Sequence, residues 1–306
     1  MVEEYMKNLE STCRQRKDKL RYGGIILSTV LITGASGFIG KRLSRKLAEN
    51  HQVICMSRKD PGLSLSWVKG TFASFEDLTQ IDSYQIDVLV HLGAVTGGMT
   101  ERDCLLVNVE GTRCLLRYLI DRGCKKYVLA SSIAAVGFQS RKFRPLQLPV
   151  PDEHICLDRN GYGLSKYLME EISRYCQRQQ EEIDIINLRL SSVCADDRMP
   201  PLKKVAPLPE WSLGGLTIMG LNDAVRAFVM SAEASYQPGV RIMNAVGPKA
   251  WTAVPVVEIL RNWWGNEVDL SYFDQPGQEH NSVYEVDRIR REIGFVAEHL
   301  PQITCL

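Results

Sequence analysis

Thr33-Gly34-Ala35-Ser36-Gly37-Phe38-Ile39-Gly40 closes the apolar run Ile25 to Ile32 and opens the segment Lys41 to Ala48, in which Leu43 and Leu47 share a helical face. A strand, a glycine loop and a helix in immediate succession form a dinucleotide-binding turn. Gly34 allows the tight turn out of the strand, Gly37 lets the backbone approach a pyrophosphate, and Gly40 lets the helix lie close against the sheet. The phosphates are then held by free N–H groups at the helix N-terminus. The cofactor contacts predicted on this stretch are Gly34, Gly37, Phe38, Ile39 and Gly40.

Outward from the loop, apolar runs alternate with helix-periodic segments. The pattern predicts strands over Ile25–Thr33, Gln52–Ser57, Leu65–Lys69, Val88–Leu92, Lys126–Ser131, Ile183–Leu190 and Val240–Ala245, with helices near Lys41–Glu49, Cys104–Arg122 and Tyr162–Gln180. This rhythm gives an α/β fold, a Rossmann-type doubly wound parallel sheet with ligand at the carboxyl ends of its strands. From Ala195 the rhythm breaks into a Pro-rich stretch, Met199-Pro200-Pro201 to Pro209, suited to a connection across a cleft. Trp251–Trp264 and Val286–Phe295 read as later amphipathic helices. The expected organisation is an N-terminal extension (1–24), a Rossmann domain (25–194 plus about 216–246) and a small C-terminal substrate-binding cap (about 195–215 plus 247–306).

The 306 residues are 45% hydrophobic and 24% charged, and a formal net charge of +1 offers no attraction to nucleic acid or an anionic membrane. Nine cysteines, an odd count without a C-x-x-C pair or a histidine at ligand spacing, argue against a disulfide scaffold or a zinc site and for a reducing, cytoplasmic setting. His91, at a strand end, is expected to pack rather than to bind a metal. The basic stretch Arg14 to Arg21 followed by uncharged Tyr22 to Gly40 imitates a secretory signal. Cleavage there would destroy the glycine loop, so that possibility is set aside. No stretch reaches the ~18 to 20 apolar residues that span a bilayer. A small-molecule substrate, without nucleic acid, membrane or metal, is the expected partner.

Tyr162-Gly163-Leu164-Ser165-Lys166 sets Tyr162 and Lys166 on one helical face, about one turn apart. A phenol with an ordinary pKa of about 10 is a poor acid or base at neutral pH, but an adjacent ammonium favours the phenolate. Ser131-Ser132 ends the strand before this helix, where a hydroxyl can point at the same substrate oxygen.

Residues 28 to 297 resemble an extended short-chain dehydrogenase/reductase of the NAD-dependent epimerase/dehydratase family. The resemblance rests on the glycine loop, His91-Leu92-Gly93-Ala94, Val107-Asn108-Val109-Glu110-Gly111-Thr112, Ala130 to Gly137 and the Tyr162/Lys166 pair. It extends through Leu188-Arg189-Leu190, Leu221 to Ala227 and Arg291-Glu292-Ile293-Gly294-Phe295, all in the family's order. It implies that Tyr162 exchanges a proton with the reacting oxygen, that Ser132 hydrogen-bonds that oxygen, and that Lys166 binds the nicotinamide ribose and lowers the Tyr162 pKa. Cofactor contacts at Thr71, Phe72, Leu92, Gly93, Ala94, Leu190 and Val193, and a homodimer through the helices at 104–122 and 162–180, follow from the same resemblance. Asn108 is expected to steady the sheet and the edge of the site.

Departures from the family pattern narrow the chemistry. Where an acidic residue would bind the ribose 2′-OH of NAD, the chain has Ser57, followed by Arg58 and Lys59, which favours NADP over NAD. Thr71 stands where similar proteins carry an Asp against adenine. Ile133 and Ala134 follow Ser132 where dehydratases carry acids and epimerase-reductases a Cys, leaving hydride transfer at one carbon. The expected activity is an oxidoreductase acting on a carbonyl or secondary alcohol, such as the 4-keto group of a nucleotide-activated or related sugar. The alternatives are a nucleotide-sugar 4-epimerase and, in another class, a non-catalytic dinucleotide-sensing regulator. Leu216–Gly220 and Pro276–Glu279 lack the arginines that clamp a sugar nucleotide's diphosphate, which keeps a non-nucleotide carbonyl substrate in contention.

Overall fold

The computed structural model describes residues 28–302 apart from 97, 139 and 211, together with the backbone of Arg21–Tyr22 and Ile25–Ile26, which pair antiparallel. The rest of the expected 1–24 extension lies outside the described residues. The first strand of the main sheet, β1, is Thr29–Thr33 and so begins later than the apolar run that predicts it. It is followed by α1 (Phe38–Leu47), β2 (Gln52–Ser57), β3 (Ser66–Lys69), α2 (Phe75–Thr79) and β4 (Val88–His91). Helix α3 (Glu101–Cys104) runs through a π-helical stretch, Leu105–Gly111, into α4 (Thr112–Ile120). Then come β5 (Lys126–Ser132), a 3-10 turn at Ile133–Val136, α5 (Gly161–Gln179), β6 (Asp184–Leu190) and β7 (Ser192–Cys194). The chain continues with β8 (Ile218–Gly220), α6 (Leu221–Glu233), β9 (Gly239–Ala245), α7 (Val256–Trp264) and α8 (Asp287–Ile293).

Seven strands form one parallel sheet in the order β9-β6-β5-β4-β1-β2-β3, while β7 and β8 form a small parallel pair beside it. All seven predicted strands are present, because a parallel sheet is covered on both faces and its strands read as continuous apolar runs. Alternate residues feed opposite cores. Val30, Ile32, Val90 and Ile186 pack with Leu43 and Leu47 of α1 and Val225 and Phe228 of α6. Leu31, Leu89, Leu129 and Ile185 pack with Leu115 and Leu119 of α4 and Met169 of α5. Each such fully buried side chain stabilises by roughly 1.5–3 kcal/mol. A third apolar cluster joins Ile133–Val150 to Leu213, Leu216 and the α7 residues Ile259 and Leu260.

The chain leaves β1 for β2 and β3 on one side and returns to β4 on the other. That reversal opens a crevice at the carboxyl ends of β1 and β4, where such folds take ligands. Two helices depart from the sequence expectation. Helix α6 was not among the helices predicted from periodicity, although Leu221, Ala224, Val225 and Phe228 mark one buried face. Helix α7 starts at Val256 rather than Trp251, after Pro255; Thr252 instead bridges to Lys203 of the Pro-rich stretch.

Candidate active site

A cleft of about 730 Å3 runs along the crevice, lined by the glycine loop, Met56 to Lys59, Gly70 to Phe72, Leu92 to Val95 and Val107. Its shape begins with Gly34, whose φ of +71° is left-handed and whose missing side chain would meet Gly93 N at 2.8 Å. The first turn of α1 has no acidic residue and no side-chain cap, so the positive end of the helix is uncompensated next to Gly37 of the cleft lining. These features fit a dinucleotide, with the pyrophosphate on α1 and the adenosine end toward Ser57, Arg58 and Thr71. Of the predicted contacts, Gly34, Gly37, Ser57, Arg58, Thr71, Phe72, Leu92, Gly93 and Ala94 line the cleft.

The others do not. Gly40 serves packing, since a Cβ there would lie 2.2 Å from Gly34 O. Phe38 is exposed, Ile39 and Val193 pack against the sheet core, and Leu190 is buried in it. Lys166 lies away from the cleft lining, with its Nζ on the Ala130 carbonyl. Lys59 lines the cleft beside Arg58, and Ser36, Met56, Gly70, Val95 and Val107 are cleft residues that the sequence reasoning did not assign. Most adjoin a residue it did assign, and that adjacency was the available signal.

At the adenosine end the Ser57 hydroxyl donates to Lys59 O at 2.7 Å and is nearly buried. Its proton goes to the turn in this structure, and Arg58 and Lys59 are the exposed cations there. The Thr71 N–H is taken by Asp77 Oδ2 at 2.8 Å.

Behind the cleft, Thr33 Oγ1 lies 2.6 Å from His91 Nδ1, and His91 Nε2 lies 3.0 Å from Thr112 Oγ1. Burial, with a smaller contribution from the Lys166 charge, pushes His91 down to about 3, so it is a neutral tie between β1, β4 and α4. Asn108, in the π-helical stretch, accepts from Val95 N at 2.8 Å and donates to Val95 O and Ser165 Oγ, each at 2.9 Å. Among the described residues no group of three or more His, Cys, Asp or Glu could hold a metal, and the seven cysteines are free.

Ser132 ends β5, and its Oγ accepts from Ala134 N at 3.2 Å, capping the 3-10 turn. Asn160 caps α5, its Oδ1 accepting from Tyr162 N at 2.8 Å, which fixes Tyr162 in the first turn. The Ser132 hydroxyl acts on the Tyr162 phenol, lowering its pKa. Lys166 donates to Ala130 O at 2.7 Å, with its Nζ 5.8 Å from the Tyr162 ring centre. The three predicted reacting residues thus lie on adjoining segments at the end of β5, with Lys166 bonded to that strand and beside the Tyr162 ring. Burial raises the Tyr162 phenol, opposed by a smaller contribution from the Ser132 hydroxyl. The lysine is itself buried, which pushes it down to about 8 against the pull of Glu170. Ile133 and Ala134 are buried and apolar.

A second cavity of about 420 Å3 lies beside Lys249, Tyr272, Tyr284 and Arg290 and contains none of the predicted residues.

Fold and site together define a Rossmann-type, dinucleotide-dependent enzyme. The chain belongs to the NAD dependent epimerase/dehydratase family, whose model matches residues 30–209, and is of the extended short-chain dehydrogenase/reductase type. It is 24% identical over 299 residues to dTDP-4-dehydro-6-deoxyglucose reductase of Escherichia coli, covering 87% of this chain and 92% of that protein. It is 28% identical over 159 residues to a UDP-glucose 4-epimerase of Halalkalibacterium halodurans, covering 48% of this chain and only 46% of the relative. A short-chain dehydrogenase/reductase superfamily protein from Agrobacterium tumefaciens, solved with bound NAD, superposes with a TM-score of 0.66 at 20% identity, over 89% of this chain and 93% of that one. Among the described residues no helix is long and apolar enough to cross a membrane.

Proposed function

We propose that the protein is an NADP-dependent reductase of a carbonyl at carbon 4 of a nucleotide-activated or related sugar. The reading is supported by Lys166 lying beside the Tyr162 ring and on the carbonyl of Ala130, two residues before Ser132, with buried Ile133 and Ala134 as neighbours where a second acid would be needed for elimination. A dinucleotide bound along the cleft supplies or accepts hydride at its nicotinamide. Tyr162 gives its proton to the carbonyl oxygen as that oxygen gains charge, and the Ser132 hydroxyl hydrogen-bonds the same oxygen. The Lys166 ammonium, held by Ala130 O, stabilises the phenolate left behind. Arg58 and Lys59 favour a 2′-phosphate, hence NADP.

Reduction is preferred to 4-epimerisation because similarity to the reductase extends along 92% of that relative, against 46% for the epimerase. The same reading makes residues 195–215 and 247–306 a substrate cap over a Rossmann domain, and the protein cytoplasmic. It also makes it a homodimer through the helices carrying the exposed Leu106 and Tyr175. Tyr162→Phe removes one hydroxyl with little change of packing. Turnover of a 4-keto-6-deoxy sugar nucleotide is expected to fall ~10²- to 10⁴-fold while NADP binding, read by fluorescence titration, persists. Undiminished turnover would remove Tyr162 from the mechanism.

A further inference from the structure

Two residues before the cap of α5, Asp158 turns its carboxyl into the protein. Oδ1 accepts the Arg159 N–H at 2.7 Å. Oδ2 is buried and has no partner. It occupies the space that a side chain at position 163 would need. A Cβ on Gly163 would lie 1.3 Å from Asp158 Oδ2 and 2.5 Å from Ala134 O, so the two oxygens share the hollow above that glycine. Two bare oxygens in one dry hollow repel each other. A proton on Oδ2 converts that repulsion into a hydrogen bond to the Ala134 carbonyl.

Ala134 belongs to the turn capped by Ser132, and Gly163 follows Tyr162. We propose that Asp158 is a positioning residue whose protonated carboxyl latches the Tyr162 end of α5 to the Ser132 turn, so that the geometry of the reacting pair depends on one proton.

The groups facing the latch do not supply a countercharge. Tyr162 on α5 and Tyr284 on the 282–286 segment are phenols raised by burial, and the Tyr284 hydroxyl is buried without a partner. The Cys156 thiol on the same loop is likewise raised by burial, and Arg159 is exposed. The 3-10 turn Ile133–Val136 carries no titratable side chain. Burial accordingly raises Asp158 to about 6. A carboxyl with a folded-state pKa above its unfolded value of about 3.9 contributes stability that is complete below the unfolded value and lost as pH rises through the folded one. The latch is closed in mild acid and released toward neutrality.

The inference rests on Ser132 and Tyr162 being the reacting pair, so its test has one arm that needs no turnover. Melting temperatures of wild type, Asp158→Asn and Asp158→Ala are measured from pH 4.5 to 8. An amide at 158 keeps a donor toward Ala134 O at every pH. The advantage of Asp158→Asn over wild type is expected to widen by several degrees up to about pH 6.5 and then level off, with Asp158→Ala below Asp158→Asn throughout. The second arm is the pH–rate profile with NADPH and a 4-keto-6-deoxy sugar nucleotide, in which wild type loses turnover above pH 6 that Asp158→Asn retains. Melting curves that stay parallel across the range, or superimposable rate profiles of two active proteins, would overturn the proposal. Full turnover by Tyr162→Phe would count against the reacting pair and leave the melting test intact.

Discussion

At the scale of single residues, the proposed preference for NADP rests on the two side chains after β2. The Ser57 hydroxyl is tied to Lys59 O and shapes the turn, while Arg58 and Lys59 extend into solvent at the cleft wall. Replacing both by Ala is expected to weaken NADP binding roughly ten- to a hundredfold, the equivalent of one charged hydrogen bond of about 1.5–3 kcal/mol, and to leave NAD binding nearly unchanged. Titration with both dinucleotides decides the matter, and equal losses for the two would mean that neither cation reads the phosphate. The sequence made Arg58 legible because its position after a strand fixes its place. It did not disclose the inward turn of the Ser57 hydroxyl, because that bond depends on a carbonyl two residues away in a turn of unknown shape. Gly34 was legible for the converse reason: a left-handed turn against Gly93 admits no other residue comfortably.

At the scale of elements, a buried ion pair helps hold α5 to the sheet. Arg189 of β6 meets Glu170 through Nε and Nη2 at 2.9 and 2.8 Å, Ser131 of β5 donates to the same carboxylate at 2.6 Å, and both charged side chains are almost fully buried. Removing one partner leaves the other charge buried and uncompensated, so Glu170→Ala is expected to cost about 3–5 kcal/mol, read as a lower denaturant midpoint. The same substitution removes the carboxylate that raises Lys166, which then falls further below about 8 and loses charge near neutral pH. An unchanged midpoint would show that the pair carries no net stability. The seven strands and the helix bearing Tyr162 could be read from apolar runs and periodicity. The π-helical stretch around Asn108 could not, because the spacing of its side chains does not distinguish i+4 from i+5 bonding over so few residues.

At the scale of the whole molecule, the sheet order follows from the alternation of strand and helix, and it brings Gly34, Gly93, Ser132 and Tyr162 to one end of the sheet from positions spread over more than a hundred residues. The small β7–β8 pair and the contacts of the Pro-rich stretch with α7, where Asn262 and Trp263 both donate to Ala206 O, lay beyond sequence reasoning because they join segments without periodicity. What the assembled site does is decided by the path of one hydrogen. NADPH deuterated at the transferring position, incubated with the enzyme and a 4-keto-6-deoxy sugar nucleotide, is expected to be oxidised in equal amount to product, with one deuterium found at the new carbinol carbon by mass spectrometry. Interconversion of sugar nucleotides with no net oxidation of the cofactor and no deuterium in the product would contradict the account and make the protein a 4-epimerase.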